Sequence, residues 1–294
     1  MGWQFGDALA LTQRHALNHS IAPHEHPMSH HPIRPPAHTS RRWAWTGAGL
    51  GVTLALLTQA PAVWLTQSLS HASGERLQWQ APQGTVWNGS AQWALSDGAS
   101  SVALPSRVHW QLWPHIDWTQ MRVGMRATLA AACCLPAPVI LDVAPLWRGV
   151  HLQVSDHTSH WPAATLVGLG APWNTVQPEG QLQLRTQGLR WTQQADSERV
   201  QGSAELQWQH LSTQLSTLRP LGSYRVQLQG GDRVALTVDT LEGSLRLQGS
   251  GYLQQGRVHF SGEASAAPDA EAALSNLLNV LGQRQGAKSI LKLG

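Results

Sequence analysis

Charge is scarce in this sequence, and lysine is almost absent from it. Charged residues make up 13% of the 294 residues, and the lysines are Lys288 and Lys292. Four of the 20 basic residues and two of the 17 acidic residues lie in residues 1–42, which leaves 16 basic and 15 acidic residues elsewhere. Binding to a phosphate backbone requires a concentrated positive surface. The nearly neutral remainder therefore excludes a nucleic-acid-binding function, and we expect no nucleic-acid partner.

Cysteine is equally rare, since the chain has two adjacent cysteines and no Cys-x-x-Cys motif. Neighbouring cysteines can close only a small strained ring. We therefore interpret Cys133 and Cys134 as two buried thiols that pack as small apolar residues. A redox pair is the alternative.

A catalytic signature is also missing from the sequence. Neither Ser90 nor Ser106 lies in a Gly-x-Ser-x-Gly elbow. His157 and His160 lie close to Asp156, but on a strand or loop this spacing does not place both imidazoles on one face. We interpret the segment as a solvated loop, with a zinc site as the alternative. We expect no enzyme activity, no cofactor and no metal, and an envelope hydrolase is the weakest alternative.

The uncharged, mainly apolar stretch of residues 43–65 predicts a transmembrane anchor over residues 41–68. Its 23 residues exceed the roughly 20 apolar residues that a helix needs to cross a bilayer. Tryptophans lie at both ends, and Arg41 and Arg42 precede it, so the N-terminus should be cytoplasmic and the main domain periplasmic. A cleavable signal peptide, cut after Ala60-Pro61-Ala62, is the main alternative. A buried helix of a soluble domain is a weaker one.

Residues 1–40 are rich in histidine and proline and predict a disordered cytoplasmic tail. Proline every few residues breaks both helix and sheet. We expect Met28 to be the true start, which would leave a short tail. A metal-binding role is the alternative for four of the histidines, His24, His26, His30 and His31.

From Arg76 onward, within an expected β-rich domain of residues 69–294, apolar and polar side chains alternate with a period of two, which predicts strands with one buried face. The clearest segments are 77–81, 108–112, 181–185, 204–209, 224–229, 234–238, 245–248 and 257–260. Glycine-bearing breaks that join antiparallel neighbours occur at 96–98, 187–188, 230–232, 241–243 and 255–256. We expect an all-β fold, a curled antiparallel sheet of about nine to twelve strands that forms an open roll or partial barrel.

The period changes near the C-terminus, where four leucines recur at helical spacing. They are Leu274, Leu277, Leu278 and Leu281. The pattern predicts an amphipathic helix over residues 269–283 with Asp269 as its N-cap. We expect its apolar stripe to plug an open end of the roll. Binding to a membrane or to a partner is the alternative.

The most distinctive segment is residues 84–91, Gly-Thr-Val-Trp-Asn-Gly-Ser-Ala. We expect Gly84 and Gly89 to bracket a strand segment, because glycine in a strand permits a bulge or a close backbone approach. Trp87 would cover the apolar space left there, and Pro114 would break the strand that follows. The candidate structural and partner-contact residues are Gly84, Thr85, Trp87, Gly89, Trp110, Trp113, Leu274, Leu277, Leu278 and Leu281.

These features together resemble the type II secretion system protein N family. The resemblance rests on segment 84–91 after a single N-terminal anchor, on the Trp-x-Leu-Trp-Pro of residues 110–114, and on the block from 220 to 286. It implies an inner-membrane component of the apparatus that exports folded proteins across the outer membrane. It also implies a periplasmic β-rich domain similar to AsmA-like envelope proteins, and it brings no active site. The long tail departs from the family's short cytoplasmic start.

We therefore predict a non-enzymatic subunit that supports the assembly or function of this apparatus. The expected partners are the inner membrane, other inner-membrane subunits of the secretion system and the outer-membrane secretin. A free sheet edge can add a partner strand through main-chain hydrogen bonds. The alternative function is a periplasmic AsmA-like lipid-binding or lipid-transfer module, whose apolar face would shelter acyl chains.

Overall fold

The fold is described from a computed structural model that covers residues 39–118, 120–195, 197–254 and 257–294. The predicted tail, with Met28 and the four candidate metal-binding histidines, lies outside these residues except for its last two positions. So does the predicted turn at 255–256. The chain divides into two compact units, residues 1–50 and 51–294. Within the smaller unit the described residues are helical, and the side chains of Trp43, Trp45 and Leu50 are exposed.

Two helices precede the first strand: α1, Thr39–Thr58, and α2, Ala62–Ala72. The prediction of one continuous helix through residues 43–65 is wrong. Pro61 occupies the N-cap of α2 in an extended conformation, φ −68° and ψ 146°. Proline lacks the N–H that helix α1 would need to continue, and it disfavours helical geometry in the residue before it. Among the described residues, no helix combines the length and the hydrophobicity required to cross a membrane.

A single antiparallel sheet contains the 15 strands of the described residues. In chain order they are β1 Leu77–Gly84, β2 Asn88–Ser96, β3 Ser101–Asp117, β4 Arg122–Ala131, β5 Val139–Leu146, β6 Gly149–Val154, β7 His157–Pro162, β8 Glu179–Gln194, β9 Ser197–Ser212, β10 Gly222–Gly231, β11 Val234–Gly243, β12 Leu245–Gln254, β13 Arg257–Ala266, β14 Gln283–Gln285 and β15 Lys288–Leu293. A 3-10 helix at Ala163–Leu169 and the short helix α3, Trp173–Val176, link β7 to β8.

Most strands pair with their neighbours in the chain, which is the pattern expected from short glycine-bearing links. Two places depart from it. Both β6 and β7 pair with β8, one after the other along its length, and β15 lies between β13 and β14. The predicted all-β, antiparallel class is confirmed, with more strands than expected. The strand order begins at β1 and ends at β14, so the sheet is open.

Three local predictions in the middle of the chain are wrong. Residues 187–188 form a bulge inside β8 rather than a turn, and Asp156 Oδ1 accepts a hydrogen bond of 2.6 Å from the Gly188 N–H there. The bulge lies where β8 changes partner from β7 to β6. Residues 157–160 belong to strand β7 instead of a loop. Pro114 continues β3, because beyond Gln111 that strand pairs with β4 alone and one edge needs no N–H.

The C-terminal helix is α4, Glu271–Leu281, which is shorter than predicted. Its N-cap is Ala270 without a side-chain hydrogen bond, so the assignment of Asp269 is wrong. Strands β14 and β15 follow it, joined by a turn at Gly286 with φ +64°. These two strands were not predicted from the sequence.

Helix α4 packs its leucines against the apolar face of the sheet. Leu274, Leu277 and Leu278 are 0 to 4% exposed, and they contact a cluster that includes Leu221 and Leu245. Leu281 packs at the margin of the same cluster. This burial supports a structural role for the four leucines rather than a contact with a membrane.

Candidate functional site

Within segment 84–91, residues 85–87 form the tight turn between β1 and β2, and the other residues belong to these two strands. Gly84 and Gly89 pair directly across this hairpin, and Gly84 has φ +84°, a conformation that favours glycine. Thr85 closes the turn: its N–H donates to Asn88 O at 2.9 Å, and its hydroxyl accepts from the Asn88 N–H at 3.1 Å. The prediction that the two glycines bracket a strand segment is therefore wrong.

The hairpin turn binds the junction between α1 and α2. The Trp87 indole N–H donates to Leu57 O at 2.7 Å, and the Val86 N–H donates to Ala60 O at 2.8 Å. Pro61 forms an isolated antiparallel bridge with Thr85. The turn thus supplies partners for backbone carbonyls that the end of a helix leaves unsatisfied.

The aromatic ring that covers the small residues of the hairpin is Trp110, not Trp87 as predicted. A Cβ atom added to Gly89 would lie 2.5 Å from the Trp110 ring, so only glycine fits beneath it. The Trp110 indole N–H donates to Val86 O at 3.1 Å. Trp113 lies three residues further along β3, where alternation places it on the opposite face, and it is 60% exposed. The Trp-x-Leu-Trp-Pro motif of residues 110–114 therefore combines a buried and an exposed tryptophan.

A cavity of about 480 Å³ lies between α2 and the apolar face of β1–β7. Leu65, Thr66 and Leu69 of α2 form one wall. The opposite wall consists of side chains in cross-strand register, such as Leu112, Ala127 and Leu141. The residues that line the rest of the cavity are Leu77, Trp79, Trp93, Val108, Trp110, Leu129, Ala131, Leu135, Val139, Val154, His157 and Trp161.

Four tryptophans form a continuous row in the cavity wall, although they come from four different strands. Trp79 stacks on Trp93 with ring centroids 6.2 Å apart, and it meets Trp110 edge to face at 5.9 Å. Trp93 in turn meets Trp161 edge to face at 5.4 Å. Such geometries are favourable for aromatic pairs. The signal in the sequence was the placement of tryptophan at apolar-face positions of strands. Predicting that these residues form one row would have required the strand order.

The two cysteines form a disulfide, so their interpretation as thiols is wrong. They lie in the turn after β4, where neighbouring sulfurs can approach each other, whereas in a strand successive side chains point to opposite faces. Cys134 is buried in a cluster with Leu104 and Val108, and Trp93 packs against that cluster. The disulfide therefore belongs to the packing behind the tryptophan row.

The histidines around Asp156 do not converge on a common point. His157 Nδ1 lies 2.8 Å from Thr186 Oγ1 and 3.0 Å from Ser155 O, while Asp156 binds the Gly188 N–H. Throughout the described residues, no group of three or more His, Cys, Asp or Glu side chains is arranged to hold a metal ion.

A separate polar cluster lies where Arg126 pairs with Asp142 across β4 and β5. The two guanidinium–carboxylate distances are 2.7 and 2.9 Å, and the hydrogen bond to Asp142 raises the pKa of Arg126. Arg126 also lies 3.0 Å from His115 Nε2. The bidentate geometry fastens two neighbouring strands.

Apart from the exposed Trp113, the motif residues thus fall into two groups: the hairpin residues with Trp110 surround the α1–α2 junction, and the four leucines belong to the C-terminal core. Comparison with curated proteins and with solved structures finds no significant match. The chain does match the family described as Type II secretion system (T2SS), protein N, over residues 75–290. That match includes the hairpin, residues 110–114 and helix α4, and it covers most of the chain. The chain therefore belongs to the type II secretion system protein N family.

Proposed function

We propose that this protein is a non-enzymatic inner-membrane component of the type II secretion system. It supports the assembly or function of the apparatus that exports folded proteins across the outer membrane. The observation that carries the proposal is the family match over residues 75–290. The polar groups of the apolar cavity are few, and the Arg126–Asp142 pair is a structural tie, so the arrangement suits binding better than bond chemistry.

Two features support a location of the main domain in the periplasm. Disulfides persist in oxidising compartments such as the bacterial periplasm, and Cys133 and Cys134 are joined in one. The last turns of α1 expose Val52, Leu54 and Leu56, as expected of a surface that faces lipid.

The α1–α2 junction supports an anchor that stays attached. The alternative cleavage site lies at Ala60-Pro61-Ala62, yet Ala60 and Ala62 are buried against the sheet. Cleavage there would also remove Leu57 O and Ala60 O, which accept hydrogen bonds from the N–H groups of Trp87 and Val86. We therefore infer that the helix and the sheet remain one chain.

The proposed contact surface for other inner-membrane subunits is the aromatic tip, which we define as Trp118, Met121, Val123 and Trp147. All four side chains are between 66 and 95% exposed. They lie in or next to the β3–β4 and β5–β6 turns, and the pairing of β4 with β5 brings both turns to one end of the sheet. Exposed tryptophan and methionine are enriched at protein interfaces. The outer-membrane secretin is proposed as a further partner.

A secretion assay tests the proposal in a strain that lacks the chromosomal gene and any second copy. Deletion should leave exoproteins in the periplasm, and the wild-type gene should restore their release. The double substitution Trp118→Ala/Trp147→Ala should restore release poorly while the protein accumulates normally. Val280→Ala removes another exposed side chain, on α4, and is the matched control. Normal secretion after deletion would refute the proposal, and normal secretion with the double variant would refute the aromatic tip alone.

The membrane location has its own test. A C-terminal alkaline phosphatase fusion is active only in the periplasm, so the intact chain should give an active fusion in the membrane fraction. An inactive fusion would place the sheet in the cytoplasm and contradict the proposed topology.

A further inference from the structure

The cavity under α2 has the size and lining of a ligand site. Its volume of about 480 Å³ lies within the range of roughly 300–1,000 Å³ that is typical of small-molecule sites. Among the described residues that line it, none carries a carboxylate, an ammonium or a guanidinium group. Apart from the indoles, its polar side chains are Thr66 and His157. A charged ligand would therefore lose its hydration without compensation.

The tryptophan row provides a second, independent observation. Its two outer members have acceptors, since Trp110 Nε1 donates to Val86 O at 3.1 Å and Trp161 Nε1 donates to Ser159 Oγ at 2.9 Å. The two central members, Trp79 and Trp93, have buried Nε1 atoms that find no acceptor within the described structure. Buried donors are normally paired, because leaving one unpaired costs about 1–3 kcal/mol. Both atoms are closed off from the open cavity, so a ligand oxygen could accept from them only after the indole rings turn.

The remaining polar groups distinguish a hydrocarbon from a peptide. A peptide segment would bring backbone N–H groups that need acceptors inside the cavity. The Thr66 hydroxyl donates to Val63 O at 3.0 Å, and His157 Nδ1 is engaged by Ser155 and Thr186. These contacts leave at most Thr66 Oγ1 and His157 Nε2 as acceptors, which are too few for a peptide, so the lining matches a hydrocarbon chain that ends in an uncharged carbonyl or ester oxygen better.

The surroundings of the cavity indicate where such a chain would come from. Trp64 lies on the same helix as Leu65 and Leu69 but is 54% exposed, so α2 presents apolar surface outside the cavity as well as inside it. The exposed apolar residues Val52, Leu54 and Leu56 of α1 precede it directly. An apolar surface next to the covering helix favours a membrane lipid over a soluble metabolite.

We propose that the cavity between α2 and the tryptophan row binds one acyl chain of a membrane lipid, and that the indole rings of Trp79 and Trp93 turn to donate to its ester oxygen. This site rests on the proposed location at the inner membrane, but not on the proposed role in secretion. The chain is held by apolar contact along the sheet, and the headgroup stays outside.

Photo-crosslinking of the full-length protein tests this site. The protein is reconstituted in vesicles of phosphatidylethanolamine and phosphatidylglycerol that contain a phosphatidylglycerol with a diazirine on one acyl chain. After irradiation, peptide mapping should find label on Leu129, Val139 or Leu141 in the cavity wall, in addition to α1. Label confined to α1 would overturn the proposal, whether the cavity is empty or holds part of another protein.

Two sets of variants sharpen the test. Ala127→Phe fills the cavity and should reduce labelling of its wall by about tenfold or more. Ala130→Phe adds the same ring on the opposite face of β4 and should leave the labelling unchanged. Trp79→Phe and Trp93→Phe keep a ring but remove the donor, so each should weaken labelling roughly two- to tenfold. Melting curves establish that every variant is folded. Equal labelling of the Ala127→Phe and Ala130→Phe proteins, or label that is insensitive to both indole substitutions, would refute the assigned position.

Discussion

At each end of the sheet a helix covers the apolar face, but the packing beneath the two helices differs. Helix α4 covers the apolar face at the C-terminal end and buries three leucines almost completely, and Leu221, Tyr224 and Leu245 complete a filled core. Helix α2 covers the same face at the N-terminal end, but its buried residues are only Ala62 and Thr66. Leu65, Thr66 and Leu69 of this helix line the cavity without filling it. The difference teaches that an antiparallel sheet needs a helix on its apolar face, while the depth to which the helix leucines are buried decides between a core and a site.

The largest effect on stability is expected in the filled core beneath α4. Leu274→Ala should destabilise the protein by about 2–5 kcal/mol, because it removes a fully buried side chain and leaves a new cavity. Leu69→Ala, in α2, should cost about 1 kcal/mol, since this side chain is 38% exposed and already faces open space. Urea unfolding of both variants measures the difference. Equal losses would show that the two helices are packed equally well.

Enlarging a buried side chain should have smaller effects on stability than removing one. It should destabilise the filled end beneath α4 but not the end that contains the cavity. Ala264 is fully buried beneath α4, so Ala264→Leu should cost about 1–3 kcal/mol through overpacking. Ala127 faces the cavity, so Ala127→Leu should be neutral or stabilise the protein by about 0.5–2 kcal/mol. Thermal melting in detergent without added lipid compares the two. A strong loss for Ala127→Leu would mean that the cavity wall collapses on its own.

The disulfide should contribute less to the stability of the fold than the losses expected for Leu274→Ala and Ala264→Leu. A cross-link stabilises chiefly by closing a loop in the unfolded chain, and for adjacent residues that loop is minimal, which gives about 1 kcal/mol. Reduction, or Cys133→Ser/Cys134→Ser, should therefore lower stability by about this amount. The measurement is the unfolding midpoint with and without reductant, with intact mass to follow the two thiols. A loss several times larger would show that the cysteine turn supports the tryptophan row behind which it packs.

The sequence predicted the strands whose alternation is clean and missed those in which it is masked. The segment 224–229 places apolar and polar residues strictly in turn, and it lies in β10. Strand β5 begins with Val139, Ile140 and Leu141 in succession, so its period of two is hidden. The family resemblance could be recognised from segment 84–91, but the role of that turn depends on carbonyls of residues 57 and 60 in the helices. The cavity was beyond prediction, because it arises from the position of α2 over seven strands.

The smallest expected effect is a pH dependence that compares one carboxylate from each end. At the C-terminal end, Lys288 Nζ lies 3.0 and 3.1 Å from the two oxygens of Glu263, and this hydrogen bond lowers the pKa of Glu263, with a smaller contribution from Gln248. At the N-terminal end, the N–H groups of Ser100 and then Ala99 lower the pKa of Asp97 in the β2–β3 turn.

Both carboxylates should therefore stabilise the fold fully above the pKa values of the unfolded chain, and the stability should be lost as the pH falls through the lower folded values. Glu263→Gln and Asp97→Asn should each flatten the decline of the melting temperature between about pH 5 and about pH 3. Because the Glu263 interaction is an exposed ion pair, added salt should weaken its effect, whereas the Asp97 interaction with backbone N–H groups should persist. A salt-insensitive Glu263 effect would show that Gln248, rather than Lys288, holds the carboxylate and joins β12 to β13.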